Sequence, residues 1–419
     1  MMKIAIIGAG SVYTPELIEK LASVKETFPV TEIVLMDTDA DRLETMAGFC
    51  KRYSAHLGFN VKIDHTTNLD QAVYGATFVS TQIRVGLNHC RVLDEKIPLS
   101  HGLIGQETTG AGGFAKALRT IPKMLEIARS VEKNTDHAWI INYTNPTGIV
   151  AEAVNHYTNA NIVGLCAGGL NIRYLAETAL HIAPERVNYD IAGLNHLSFS
   201  YNIHIDNRPA TEEEFDQMAR AVGCVDPDLI KSIGAIPIGY LQYYFHTGHK
   251  VSELRAAAQT RGEQVLELEK EIYAQFADPA CCDKPQALLK RGGGGYSDVA
   301  IGVMDALYNG TPLQTVGNIP NNGTLPFLDD DAVIETPIFV NRSGIRGLRV
   351  SEPPKCIQGL IKSVKAYEQL TVEAAVTGNK QTAVMALTMH PLVKDYDLAK
   401  VLVDEILAAH PQYLGYFHA

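Results

Sequence analysis

The chain has 419 residues, enough for two domains at about 150 residues each. With 46% apolar and 20% charged residues it can bury a large core, which excludes a disordered or fibrous chain. Its formal charge of −11, from 36 basic and 47 acidic residues, argues against nucleic acid and anionic membrane partners, but it leaves small anionic substrates open.

No apolar run approaches the roughly 18 residues of a spanning helix, and Met1-Met2-Lys3-Ile4 leads straight into a strand pattern. The 7 cysteines, at 50, 90, 166, 224, 281, 282 and 356, form no ladder of short spacings. A reduced, cytoplasmic protein is therefore expected, with Cys281-Cys282 unbridged.

From the N-terminus the pattern alternates strand and helix. Lys3 to Ile7 is a short apolar strand followed by Gly8-Ala9-Gly10, and Thr14-Pro15-Glu16 is a helix start with Thr as cap and Pro in the first position. Ile33 to Met36 gives a second strand ending at Asp37, and residues 39–57 a helix. Thr77 to Thr81, Ala138 to Ile141 and Ile162 to Leu165 are further buried strands, with a long helix at 113–132. After about residue 190 the texture changes to one long apolar and polar stretch, Ile191 to Ile205. Helical segments follow at 212–222, 251–275, 298–308, 357–377 and 392–409. The fold expected is α/β: a Rossmann-like dinucleotide-binding domain over residues 1–190, and a largely helical α+β domain over 191–419 that carries substrate, catalytic and oligomer contacts.

Gly8-Ala9-Gly10 lies between a strand and a helix, upstream of Asp37 at the next strand end. The glycines let the backbone approach a pyrophosphate, the helix start offers N–H groups, and the acid accepts from an adenosine ribose hydroxyl, which favours NAD over NADP. Tyr13 stands where a third glycine is usual. Polar clusters follow later strand ends: Thr81-Gln82-Ile83-Arg84 with Arg91, Gly105-Gln106-Glu107-Thr108-Thr109-Gly110, and Asn142-Tyr143-Thr144-Asn145-Pro146-Thr147-Gly148. Cys166 and His196 sit at the edges of core segments, where a thiolate and an imidazole suit one divalent metal; a buried thiol and a hydrogen-bonded histidine are the plainer alternative. Gly239-Tyr240-Leu241-Gln242-Tyr243-Tyr244 offers phenols or core packing. Arg291-Gly292-Gly293-Gly294-Gly295-Tyr296-Ser297-Asp298 is an active-site lid or a flexible connection.

In this order the motifs resemble the NAD- and divalent-metal-dependent glycoside hydrolases of family 4, over nearly the whole chain, and most of all their 6-phospho-β-glucosidase branch. The resemblance implies NAD+ held by Gly8, Gly10, Ser11, Val12, Tyr13 and Asp37, and a divalent metal, Mn2+, held by Cys166 and His196. It implies substrate contacts from Arg91, Asn145 and Arg261, Tyr240 as the catalytic base, and Glu107 as the acid that tunes it. The expected partner is a small phosphorylated glycoside, and the expected assembly a homodimer or homotetramer. One segment departs from the branch, which has Cys-Asn-x-Pro where this chain has Cys166-Ala167-Gly168-Gly169. The loss of a polar side chain there is expected to alter substrate preference.

The implied reaction is hydrolysis by transient oxidation at sugar C3, deprotonation at C2, elimination at C1, addition of water and re-reduction, a departure from paired-carboxylate glycosidases. No residue matches a proton donor to the aglycone. A 2-hydroxy-acid dehydrogenase and a non-enzymic NAD- or sugar-binding regulator are the competing functions.

Overall fold

The computed structural model describes residues 2–291 and 295–418. The Gly292 to Gly294 part of the expected lid lies outside them. The first half builds six parallel strands: β1 (Lys3–Ile7), β2 (Glu32–Met36), β3 (Lys62–Thr66), β4 (Phe78–Thr81), β5 (Trp139–Asn142) and β6 (Asn161–Gly164). Their order, β3-β2-β1-β4-β5-β6, is that of a doubly wound dinucleotide fold, and the order reverses between β1 and β4. Every backbone polar group of such a buried strand needs a partner, and the parallel ladders supply it.

Alternation along β1 shows how the sheet is covered. Ile4 and Ile6 face a core shared with helices Thr14–Ser23, Ala40–His56, Arg261–Ala277 and Tyr296–Asn309. Ala5 and Ile7 face the opposite core, shared with Gly110–Asn134, Thr147–Tyr157 and Lys355–Thr377.

The second half opens with an antiparallel hairpin, β7 (Val187–Leu194) and β8 (Leu197–Ile205), flanked by β9 (Arg208–Pro209) and β10 (Ile236–Pro237). The stretch expected to run unbroken from Ile191 to Ile205 is thus a hairpin whose two-residue turn is Asn195-His196. Then β11 (Leu313–Pro320), β12 (Val333–Asn341) and β13 (Gly344–Gly347) return to the first sheet and extend it beyond β6 to nine strands. The parallel series ends with β6 at Gly164, residue 190 falls inside β7, and the first sheet and both cores draw on residues from either side of it.

The segment expected as one helix over 251–275 is two, Thr247–Ala256 and Arg261–Ala277. The break comes at Thr260, whose hydroxyl accepts from the Glu263 N–H while the Glu263 carboxylate accepts from the Thr260 N–H. That new start also docks on another element: Glu95 Oε2 accepts the Gly262 N–H at 2.7 Å, and a Cβ at Gly262 would lie 3.0 Å from the same oxygen. No helix among the described residues is long and apolar enough to cross a membrane.

Candidate active site

The carboxyl ends of β1 and β4, where the strand order reverses, open into a cleft of about 1330 Å³. Its nucleotide end is built by β1 and the turn after it. Gly8 has φ +84°, and a Cβ there would stand 2.8 Å from the Ile83 nitrogen. The Gly10 N–H donates to Asp37 Oδ2 at 2.8 Å. Thr14 does not cap its helix as expected. It lies in the first turn, donates its hydroxyl to the Ala9 carbonyl at 2.7 Å, and receives the Gln82 amide at 2.6 Å. No side chain caps this helix start, but its first N–H groups are engaged within the turn, Thr14 to the Ser11 carbonyl at 3.0 Å and Glu16 to that of Tyr13 at 3.1 Å, so the turn's contribution is the close backbone approach its glycines allow. Gly8, Gly10, Ser11, Tyr13 and Asp37 line the cleft. Val12 is fully buried behind it.

A clamp on this turn was not legible in the sequence. Arg42 donates to the Gly10 carbonyl at 3.0 Å and pairs with Glu269 at 2.9 Å, and its guanidinium lies 4.2 Å from the centre of the Tyr273 ring. Tyr273 also donates its hydroxyl to the Gly10 carbonyl. The helix Arg261–Ala277 thus holds the nucleotide turn from across the cleft. From the same side, Arg291 stacks over Tyr13 at 4.2 Å.

Deeper in, the segment 105–109 is threaded between two helices with almost no clearance. A Cβ at Gly105 would lie 2.3 Å from the Glu95 carbonyl oxygen, one at Gly112 2.3 Å from that of Gln106, and one at Gly113 2.5 Å from the Thr108 carbonyl carbon. The glycines of this motif permit that packing. It sends Glu107 one way and Thr108 the other.

Glu107 meets three cations. Arg84 bonds it closely, Lys116 stands at 2.8 Å, and Arg91 at 3.1 Å. Burial raises its pKa, but Arg84, Lys116 and Arg91 outweigh burial and hold it well below the usual carboxylate range. Lys116 is only 4% exposed. Burial first, then Arg84, lowers its pKa to about 7 against the opposing pull of Glu107. The buried, bidentate Arg119–Asp94 pair, at 2.8 and 2.7 Å, fixes the two helices that carry Lys116 and Arg91.

His196 enters from the hairpin tip with φ +64°. Its neighbour Gly193 is required for the tight hairpin, since a Cβ there would lie 2.2 Å from the Leu197 carbonyl oxygen. The imidazole stacks on the Tyr240 ring with centroids 3.9 Å apart and planes 6° apart. Its Nδ1 is 2.9 Å from the Thr108 hydroxyl. Burial first, then Lys116, lowers its pKa to about 3, so the ring is neutral near pH 7. Burial, then the charges at Cys166 and Glu107, pushes the Tyr240 phenol above its ordinary range. Without a nearby cation to favour phenolate, it is a poor base.

Of the remaining expected residues, Asn145 lines the cleft, with its Oδ1 3.4 Å from the Thr147 hydroxyl. Arg91 lines it too and bonds Glu95 at 2.8 Å. Arg261 lines its rim, but it is exposed and donates to the carbonyls of Lys290 and Arg291 at 3.2 and 3.0 Å, so it anchors the start of the glycine run. Cys166 is 7% exposed, lies two residues beyond β6, does not itself line the cleft, and accepts the Gly168 N–H at 3.4 Å. Ala167 opens a short 3-10 turn and does not line the cleft. Among the described residues no group of three or more His, Cys, Asp or Glu is placed to hold a metal. A metal site here rests on Cys166 and His196, a soft and a borderline donor that fit a divalent transition metal completed by substrate oxygen or water.

Comparison with known proteins accords with this geometry. The profile of the family 4 glycosyl hydrolases matches residues 3–182, and that of the family's C-terminal domain matches residues 191–393. The chain is 38% identical to a Bacillus subtilis (strain 168) protein named "Probable 6-phospho-beta-glucosidase", covering 99% of this chain and 98% of that one. It is 33% identical to the 6-phospho-β-glucosidase of Escherichia coli (strain K12), over 99% and 97% of the two chains. Its backbone matches the Thermotoga maritima 6-phospho-β-glucosidase solved with manganese, NAD+ and glucose-6-phosphate at a TM-score of 0.90 and 33% identity, over 99% of each chain. The chain belongs to the family 4 glycosyl hydrolases and is an NAD- and divalent-metal-dependent glycosidase.

Proposed function

We propose that the protein hydrolyses a 6-phospho-β-glucoside or a closely related anionic glycoside. The observation that carries this is convergence: the dinucleotide turn, the His196–Tyr240 stack and a carboxylate outnumbered by three cations all face one cleft. Arg84 and Arg91, with Lys116 when it is protonated, face Glu107 and Glu95, so this part of the cleft carries no net negative charge in a protein of net charge −11 and offers guanidinium groups to an anionic sugar. The relatives' names, a probable 6-phospho-β-glucosidase and a 6-phospho-β-glucosidase, support the same substrate class.

Bound NAD+ supplies a hydride acceptor for C3, and a divalent cation supplies the Lewis acidity that makes the neighbouring C2–H acidic. The protein's own groups do the rest. Cys166 and the imidazole of His196 hold the cation. Tyr240, stacked on that imidazole, takes the C2 proton on its phenolic oxygen. Glu107, kept ionised by Arg84, Lys116 and Arg91, raises the proton affinity of the Tyr240 oxygen and so opposes its phenolate, which the cation held by Cys166 and His196 would favour. Arg91 and Asn145 orient the sugar from the cleft wall. Hydrolysis then proceeds by loss of the C1 substituent and addition of water, with no net consumption of NAD+.

A screen of 6-phosphorylated and unphosphorylated β- and α-glycosides, with NAD+, Mn2+ and reductant, tests this reading. Cleavage of the phosphorylated β-glucoside without accumulation of NADH is expected. Stoichiometric NADH from a 2-hydroxy acid, with every glycoside intact, would overturn it.

A further inference from the structure

The segment that carries Glu107 also carries a hydrogen-bond relay that ends on His196. The Thr108 N–H lies 2.6 Å from Gln106 Oε1, and because an N–H only donates, the side-chain atom facing it is the amide oxygen. The Thr108 hydroxyl lies 2.9 Å from the same oxygen. A carbonyl oxygen only accepts, so the single hydroxyl proton points to Gln106. What Thr108 then presents to His196 Nδ1, at 2.9 Å, is a lone pair. Two lone pairs facing one another at that distance repel, so Nδ1 must carry a proton.

From this geometry we infer that Gln106 and Thr108 are positioning residues that fix the tautomer and plane of His196, leaving the Nε2 lone pair as the metal-binding atom. The inference rests on the assignment of His196 as a metal ligand and deepens it. The ring is held on two sides: Thr108 fixes its edge, and the Tyr240 face, parallel within 6°, fixes its plane. The same relay accounts for the tight glycines of the motif. If the segment retreated by the width of a methyl group from Gly112 or Gly113, Gln106 and Thr108 could not hold their present places. The relay and the carboxylate that tunes Tyr240 therefore belong to one rigid turn, so the ligand and the base are set by the same three consecutive residues, Gln106-Glu107-Thr108.

The test compares Mn2+ affinity of the NAD+-loaded protein, read from the electron paramagnetic resonance of free Mn2+, in wild type, Thr108→Val, Thr108→Ser, Gln106→Leu and His196→Ala. Loss of a hydrogen bond behind a ligating imidazole weakens metal binding by about 10- to 100-fold. That loss is expected for Thr108→Val, with recovery to near wild type in Thr108→Ser, which keeps the oxygen. Gln106→Leu frees the Thr108 hydroxyl to donate to Nδ1, and is expected to weaken binding although it does not touch the imidazole. A direct reading comes from 15N-histidine spectra of the metal-free, NAD+-loaded protein, assigned by difference with His196→Ala: His196 should show a protonated Nδ1 and an unprotonated Nε2. Wild-type Mn2+ affinity in Thr108→Val, equal losses in the Val and Ser variants, or a proton on Nε2 would each overturn the inference. Wild-type affinity in His196→Ala would instead overturn the ligand assignment beneath it, so the two failures are distinguishable.

Discussion

The turn after Cys166 gives the most quantitative prediction. Gly169 stands at the proline position of the family pattern Cys-Asn-x-Pro, and a Cβ added there would meet Val316 Cγ1 at 2.5 Å and its Cβ at 3.1 Å. Val316 is 3% exposed and lies within β11, whose backbone is locked to β12 along its length. Neither partner can simply step aside, so Gly169→Ala should cost about 1–3 kcal/mol by overpacking. With an unfolding entropy near 0.9 kcal/mol/K for a chain of this length, Tm should fall by about 1–3 °C. Val316→Ala alone should cost about 2 kcal/mol for two buried methyl groups and the space they leave. In the double variant the new methyl enters that space, and the combined loss should fall short of additivity by about 1 kcal/mol or more. Because the Gly168 N–H in this turn donates to Cys166 Sγ, Mn2+ affinity should fall in Gly169→Ala and recover in the double variant. Calorimetry of the four proteins at one pH and NAD+ concentration measures the cycle. Additivity within about 0.5 kcal/mol would show that the glycine and the valine do not compete for one volume.

Two further outcomes follow from the site. Tyr240→Phe should keep NAD+ and Mn2+ affinity while abolishing exchange of the substrate C2 hydrogen with deuterated solvent; wild-type exchange would return Tyr240 to the role of a packing residue. Lys116 carries a folded pKa of about 7 against an ordinary 10.5, so between those values the unfolded chain holds a proton that the folded protein has released. Stability should therefore rise with pH from 7 to 10.5 relative to Lys116→Met, by about 1.4 kcal/mol per pH unit at most, with the full penalty of the buried ammonium present below 7. A pH-independent difference in Tm between the two proteins would show that Glu107 compensates the ammonium fully.

What could be read from the sequence, and what could not, divides by the range of the interaction. The β1 turn was legible because Gly8 and Gly10 stand directly after one apolar strand and Asp37 directly after the next, and those strands are buried on both faces, although the contacts themselves run to Ile83 and across 27 residues to Asp37. β3 was not legible. Its sequence Lys-Ile-Asp-His-Thr has one apolar residue, as suits the solvent-facing edge of a sheet. The β7–β8 hairpin was missed because its turn is Asn195-His196 and lacks the Asn-Gly or Asp-Gly signal of such turns. A positive φ at histidine has a conformational cost, and that cost delivers the imidazole to the cleft; the signature of an ordinary hairpin was absent where the site needed another residue. Lys116 and Arg119 sit in a helix whose pattern is otherwise apolar, and nothing local distinguishes a buried lysine from a solvated one. Only the fold shows that Glu107 and Asp94 come to meet them. The clamp of Arg42, Glu269 and Tyr273 is the extreme case, joining residues 227 positions apart in the chain. Spacing of four between Glu269 and Tyr273 places them on one helix face, but it is the reversal of strand order between β1 and β4 that puts that face against the nucleotide turn. The chemistry of the site is thus written locally, motif by motif. Its charge balance and the orientation of its ligands are written in contacts that only the fold creates.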